Sequence, residues 1–341
     1  MSREWLVTRQ LTRRELLAAG AIFTTGAIGG LAGCRRDLRP RVCVARAASY
    51  AVDLEPILRA ALTEIGITPA AVAGKRILLK PNLVETALGA GHINTHPEVV
   101  RAAARALRGF GAAEVLVGEG PGHRRDTILV LEESGLAQVL VDEKLRFVDL
   151  NRQRGFAVAN AGQRSGLVRL TLPVVLANVD WIVSLAKLKT HHWAGATLAM
   201  KNLFGLMPGS YYGWPKNVLH YAGLQESILD INATVRPQFA IVDGIVGMEG
   251  DGPILGTAKT AGVLVVGTNL PAVDATAARV MGIDPLRIRY LAEAAGWLGP
   301  IAEQAIHQVG ETLASVRTPF ELVEKIPAHK ALLDQESGAG Y

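Results

Sequence analysis

Short runs of β-branched and other apolar residues, four to six long, alternate with helix-length stretches along most of this chain. Few folds accommodate that order, because each strand must pair with others while the intervening helix returns across the sheet. Residues 42–47, 76–80, 114–117, 147–150, 167–172, 181–185, 239–242 and 262–266 read as strands. Residues 54–65, 97–110, 126–134, 225–234, 271–281 and 286–295 read as helices. The expectation is an α/β fold with a mainly parallel sheet flanked by helices. The polar stretch 151–165 is the candidate boundary between two lobes, which would make an interlobe cleft.

Charge divides the 341 residues unevenly. The first 41 carry eight arginines against Glu4, Glu15 and Asp37, the whole of the net +5; the rest balance 28 basic with 28 acidic residues. A neutral body argues against a nucleic-acid surface, and 49% hydrophobic residues exclude a disordered chain. Arg13-Arg14 stand just before an uncharged run, Ala18 to Gly33, too short and glycine-rich for a membrane span. Paired arginines followed by a short apolar region read as a twin-arginine signal peptide over residues 1–33. Leu31-Ala32-Gly33-Cys34 looks like a lipoprotein cleavage box with Cys34 as the lipidated residue. The expected organisation is a tether at 34–41, an α/β domain at 42–330 and a tail at 331–341. The chain would lie in the periplasm or on the outer membrane face, reached by the twin-arginine route. With Cys34 lipidated only Cys43 remains, which excludes a cysteine-ligated iron–sulfur cluster.

Chemistry concentrates between Asp180 and Tyr221. If the strand beginning at Trp181 continues to His191, then Val183, Leu185, Lys187, Lys189 and His191 share a face that turns from apolar to cationic at its carboxyl end, where α/β proteins bind ligands. Residues 194–207 read as a helix with Thr197, Lys201 and Gly205 on one stripe, and His220 lies just beyond. Trp193, Phe204, Tyr211, Tyr212, Trp214 and Tyr221 are six of the chain's 18 aromatic residues. The chain has 10 lysines against 26 arginines, yet Lys187, Lys189, Lys201 and Lys216 all fall here; lysine kept where arginine is the habit points to a compact ammonium or a nucleophilic amine. The segment Asp243 to Pro253 reads as a glycine-rich loop after a strand, whose carboxylates, Glu249 and Asp251 among them, could bind a hard cation or act as bases. Other residues read as structural. Thr95 and Glu98 form a capping box, Asn269 caps the helix opening at Pro271, and Asp274 suits that helix's first turn. The turn Gly118 to Gly122 could hold an anion.

Lys80-Pro81-Asn82-Leu83, Thr95-His96-Pro97, Gly118-Glu119-Gly120-Pro121-Gly122, Lys187-Leu188-Lys189-Thr190-His191, Lys201-Asn202-Leu203-Phe204-Gly205 and Asp243 to Gly250 together resemble the family called domain of unknown function 362. More distantly, Gly122-His123-Arg124, His191-His192-Trp193-Ala194-Gly195, Lys201 and His220 are similar to the nickel-pincer lactate racemases. That second resemblance implies His123 and His191 as an acid/base pair, Lys201 as a covalent tether and His220 as a metal ligand, although three residues are inserted and the residues preceding the tethering lysine differ. The expected site therefore comprises His123, His191 and Lys201 as catalytic residues. Lys80, Asn82, Lys187, Lys189, Asn202 and Trp214 would bind a small anionic ligand. His220, Glu249 and Asp251 would hold a divalent metal, nickel by the distant resemblance. The function that follows is an exported, membrane-tethered, metal-assisted enzyme acting on a carboxylate or phosphate, with racemase-like proton transfer as its expected chemistry; a non-catalytic binding lipoprotein and an assembly factor for exported metalloproteins are the alternatives.

Overall fold

Strands that are apolar on both faces need helices on both sides, and these strands are of that kind. The computed structural model describes residues 37–86, 88–122 and 125–333; Cys34 and His123 lie outside them. In chain order the strands are β1 (Arg41–Arg46), β2 (Arg76–Pro81), β3 (Glu114–Glu119), β4 (Arg146–Asp149), β5 (Gly155–Ala159), β6 (Arg169–Pro173), β7 (Trp181–His191), β8 (Gly195–Thr197), β9 (Phe239–Glu249), β10 (Thr257–Gly267) and β11 (His307–Gly310). Nine of them make one sheet in the order β11-β1-β10-β9-β7-β2-β3-β4, with β8 added beside β7. Neighbours from β9 through β7, β2 and β3 to β4 run parallel, as do β1 and β11. The pairs β1–β10, β9–β10 and β7–β8 are antiparallel.

Alternation along each strand feeds two cores. Ile77, Leu79, Val183 and Leu185 face Leu58 and Leu62 of the helix Leu54–Glu64 and Val100 and Leu107 of the helix Pro97–Gly109. Leu78, Ala186 and Leu188 face Ile228 of the helix Leu224–Val235 and Ala278 of the helix Leu270–Val280. The result is a three-layer α/β arrangement with a mostly parallel sheet. From Arg39 onward the chain is one unit, and the polar stretch after Asn151 leads into the β5–β6 hairpin rather than across a lobe boundary. No helix among the described residues is long and apolar enough to cross a membrane.

Several expectations give way to the tertiary structure. Residues 194–207 are not one helix: Gly195, at φ +81°, opens β8, which pairs back on β7 before a single turn at Ala199–Asn202 and a 3-10 stretch at Leu203–Leu206. Residues 286–295 split into Pro285–Arg287 and Arg289–Ala294. Asp243 to Glu249 belong to β9, not to a loop. The N-cap of Pro97–Gly109 is His96, whose Nδ1 accepts from Glu98 N–H at 3.2 Å. Thr95 instead ties β2 to β7: its Oγ1 accepts from Asn82 N–H at 2.8 Å and donates to Leu185 O at 2.7 Å. Asn269 does cap its helix through Ala272 N–H. Asp274, beyond the first turn of that helix, caps a different one.

Candidate functional site

The parallel strands β2, β3 and β7 all end at one edge of the sheet, and the residues at those ends are polar or charged. Lys80 and Asn82 close β2, Glu119 closes β3, and Lys189 and His191 close β7. Together with Lys201, Asn202, Lys216 and His220 from the following segments they line one pocket of about 740 Å³, partly open to solvent. Carboxyl ends of parallel strands are where an α/β sheet leaves such a crevice.

The wall is tightly wired. Lys80 Nζ pairs with Glu119 Oε2 at 2.5 Å and also donates to Asn202 Oδ1 at 3.0 Å. Asn202 Nδ2 donates to Lys80 O and Ser184 Oγ, both at 3.0 Å, which ties β2 to β7. Glu119 also accepts from Leu83 N–H (3.1 Å) and Gly120 N–H (2.8 Å). Gly205 lets this pair form, since a Cβ there would overlap Glu119 Oε1 and Lys80 Nζ. Lys189 donates to two carbonyls, Ile93 O at 2.8 Å and Pro253 O at 3.2 Å. Lys216, in the left-handed region at φ +70°, donates to Asn151 Oδ1 and Met207 O. Lys201 Nζ sits 4.3 Å over the Phe204 ring.

Among the described residues, four lysines line the pocket against one carboxylate, Glu119. Burial, with the charge of Lys80 added and Glu119 opposing, brings Lys201 from 10.5 down to about 8. Burial also brings Lys216 down to about 7, although Glu119 opposes it. Lys189 is pushed well below its ordinary value by burial and by Lys187 and Lys201. An anion would reverse these shifts by supplying the missing negative charge.

The two histidines offer opposite edges. His191 Nδ1 accepts N–H groups from both Trp193 (3.0 Å) and Ala194 (3.2 Å), so the proton of the neutral ring is on Nε2. Burial and the charge of Lys201 hold the ring well below the usual histidine range, so it stays neutral. His220 Nδ1 lies 3.1 Å from Lys216 O, which can only accept, so Nδ1 is the donor in that contact.

The expected residues thus divide. His191, Lys201, His220, Lys80, Asn82, Lys189 and Asn202 meet in this pocket. Lys187 does not line it: the side chain is buried on Asp243 (2.8 Å) and on the Tyr50 hydroxyl (3.0 Å), whose ring stacks on His96 at 3.6 Å. Trp214 lies outside the lining and packs over Gly209. The expected metal set does not share the pocket: Glu249 pairs with Lys259 at 3.1 Å and Asp251 faces His192 at 3.7 Å, and of the three only His220 lines it. Among the described residues no three His, Cys, Asp or Glu side chains gather to hold a metal ion. Glu119 and Thr197 were not expected in a ligand-binding role. Glu119 follows an apolar run and is flanked by glycines, so an acid at a strand's carboxyl end was the available signal.

Fold and pocket define an α/β protein with a lysine-rich crevice at the carboxyl edge of a mostly parallel sheet. Its sequence belongs to the family described as domain of unknown function (DUF362), whose profile matches residues 77–279. The chain is also 30% identical to a thylakoid-associated protein of Synechocystis sp. over 226 residues, 64% of this chain and 67% of the relative.

Proposed function

We propose that this protein is an exported, lipid-anchored enzyme that takes a small carboxylate- or phosphate-bearing ligand into the pocket between β2, β3 and β7. The observation that carries the reading is the charge imbalance of the wall, where among the described residues Lys80, Lys189, Lys201 and Lys216 face one carboxylate, Glu119. Lys189 and Lys216, held in place by carbonyl and amide oxygens, would hold the anionic group. His191 would donate a hydrogen bond through Nε2–H to the ligand. A neutral ring whose Nδ1 is engaged by two backbone donors is a poor acid/base partner, so His191 polarises an oxygen instead. No metal enters the reading, since of His220, Glu249 and Asp251 only His220 lines the pocket. Export and anchoring rest on the leader's paired arginines and on Cys34; the relative's thylakoid association is in keeping with a membrane location.

The test is thermal unfolding with inorganic phosphate, sulfate and citrate. At a hundred times the dissociation constant an anion stabilises by about 2.7 kcal/mol. Lys189→Gln and Lys216→Gln should each remove most of that effect. Binding should weaken as pH rises through 7 and 8, where Lys216 and Lys201 lose their protons. Stabilisation that is absent, or unchanged between pH 6 and 9, would sink the reading.

A further inference from the structure

Lys80 is engaged by Glu119, Lys189 by two carbonyls and Lys216 by an amide and a carbonyl. Lys201 differs. Its largely buried amine rests on the Phe204 ring at 4.3 Å where it lines the pocket, and among the described residues no carboxylate pairs with it. Two buried polar atoms on the same wall, Asn82 Oδ1 and Thr197 Oγ1, have no hydrogen-bond partner among the described residues, and the residues themselves are only 8% and 3% exposed. Buried polar atoms are seldom left unmatched, and a ligand would match these.

We propose that Lys201 is a nucleophilic amine that forms an imine with an aldehyde or ketone carrying a carboxylate or phosphate, with 2-oxo acids the leading class. The proposal rests on the anion-pocket reading and adds a covalent step to it. The amine lone pair adds to the carbonyl carbon, and the π pair moves to oxygen, which takes a proton from the nitrogen to give a carbinolamine. The nitrogen then expels that oxygen with its second proton, so one carbonyl compound and one amine yield one imine and one water. His191 Nε2–H supplies the hydrogen bond to the carbonyl oxygen, and the Thr197 hydroxyl and Asn82 amide oxygen receive the carbinolamine hydroxyl. A lysine desolvated beside another cation is the recurring setting for such an amine, because its neutral form is present near neutrality.

The test incubates the full-length protein at pH 8 with pyruvate or with propionaldehyde, which lacks an anionic group, and traps imines with cyanoborohydride. The expected result is one adduct per chain on the peptide containing Lys201, at least tenfold more with pyruvate, suppressed by phosphate and absent in Lys201→Arg. Lys144→Arg, in an exposed turn, should leave it unchanged. Phosphate stabilisation with no trapped adduct, or with adducts spread over other lysines, overturns the imine and leaves the anion pocket standing. No stabilisation by anions and equal labelling of Lys201 by both carbonyls overturns the anion pocket and keeps a nucleophilic lysine. Neither stabilisation nor labelling overturns both.

Discussion

Two lysines two residues apart on β7 have opposite fates. Lys187 closes a buried pair with Asp243, which also accepts from the Tyr50 hydroxyl at 2.9 Å and from His96 N–H at 3.1 Å. Lys189 meets only carbonyls. The cause is the register: Lys187 stands opposite Asp243, but β9 shifts there, so that Lys189 stands opposite Met248. Lys187→Met should therefore destabilise by about 3–5 kcal/mol, since it leaves Asp243 charged and buried. The double variant Lys187→Met/Asp243→Leu should lose less than the sum of the single losses, as read by denaturant unfolding. The buried lysines also set a pH dependence. Their folded values, about 8 for Lys201 and about 7 for Lys216, lie below the ordinary 10.5. Between pH 7 and 10 the unfolded chain holds protons that the folded chain has released, so the stability contributed by these two groups rises with pH. That rise is the opposite of the anion's effect. Lysine scarcity pointed to this cluster, but it could not say which lysine is paired, because a buried partner can lie anywhere in the chain.

At the scale of the element, the single turn Ala199–Asn202 presents Lys201 and Asn202 to the pocket, and four residues of helix are too few to stand alone. Asp274, within Leu270–Val280, holds it: its carboxylate accepts Ala199 N–H at 2.7 Å and Met200 N–H at 3.0 Å, with Tyr290 close by. Burial raises this carboxyl from 3.8 to about 7 despite those bonds. Between those values the folded chain binds more protons than the unfolded one, so Asp274's contribution declines as pH rises from 4 to 7. Asp274→Asn should flatten that decline and, by weakening one backbone bond, lower stability by about 1–2 kcal/mol at pH 5; unfolding curves at pH 4, 5.5 and 7 check both. The apolar periodicities near 54–65, 97–110 and 271–281 were legible as helices, because a helix's amphipathic stripe is written locally. The turn at β8 was not, since Gly195 and the pairing of Thr197 with Lys189 depend on a partner strand.

At the scale of the whole molecule, the strand order brings β2, β3 and β7 side by side although Lys80, Glu119 and His191 are far apart in sequence. Parallel pairing then places all three strand ends on one edge, where the helix turn bearing Lys201 completes the wall. Location belongs to this scale as well. With its leader intact, the chain should incorporate labelled palmitate and fractionate with membranes, and Cys34→Ala should abolish the label and release the protein; an unaltered membrane fraction would refute the anchor at Cys34. The sequence by itself determined the α/β class, most strand and helix positions, kinship with its family and the concentration of basic charge in the first 41 residues, because apolar spacing, motif order and local charge are properties of neighbouring residues. Only the tertiary structure decided that Lys187 is paired while Lys201 meets no carboxylate among the described residues, that Glu119 belongs to the pocket while Glu249 and Asp251 do not line it, and which nitrogen of His191 carries its proton. These depend on strand register and on burial, which exist only once distant segments meet.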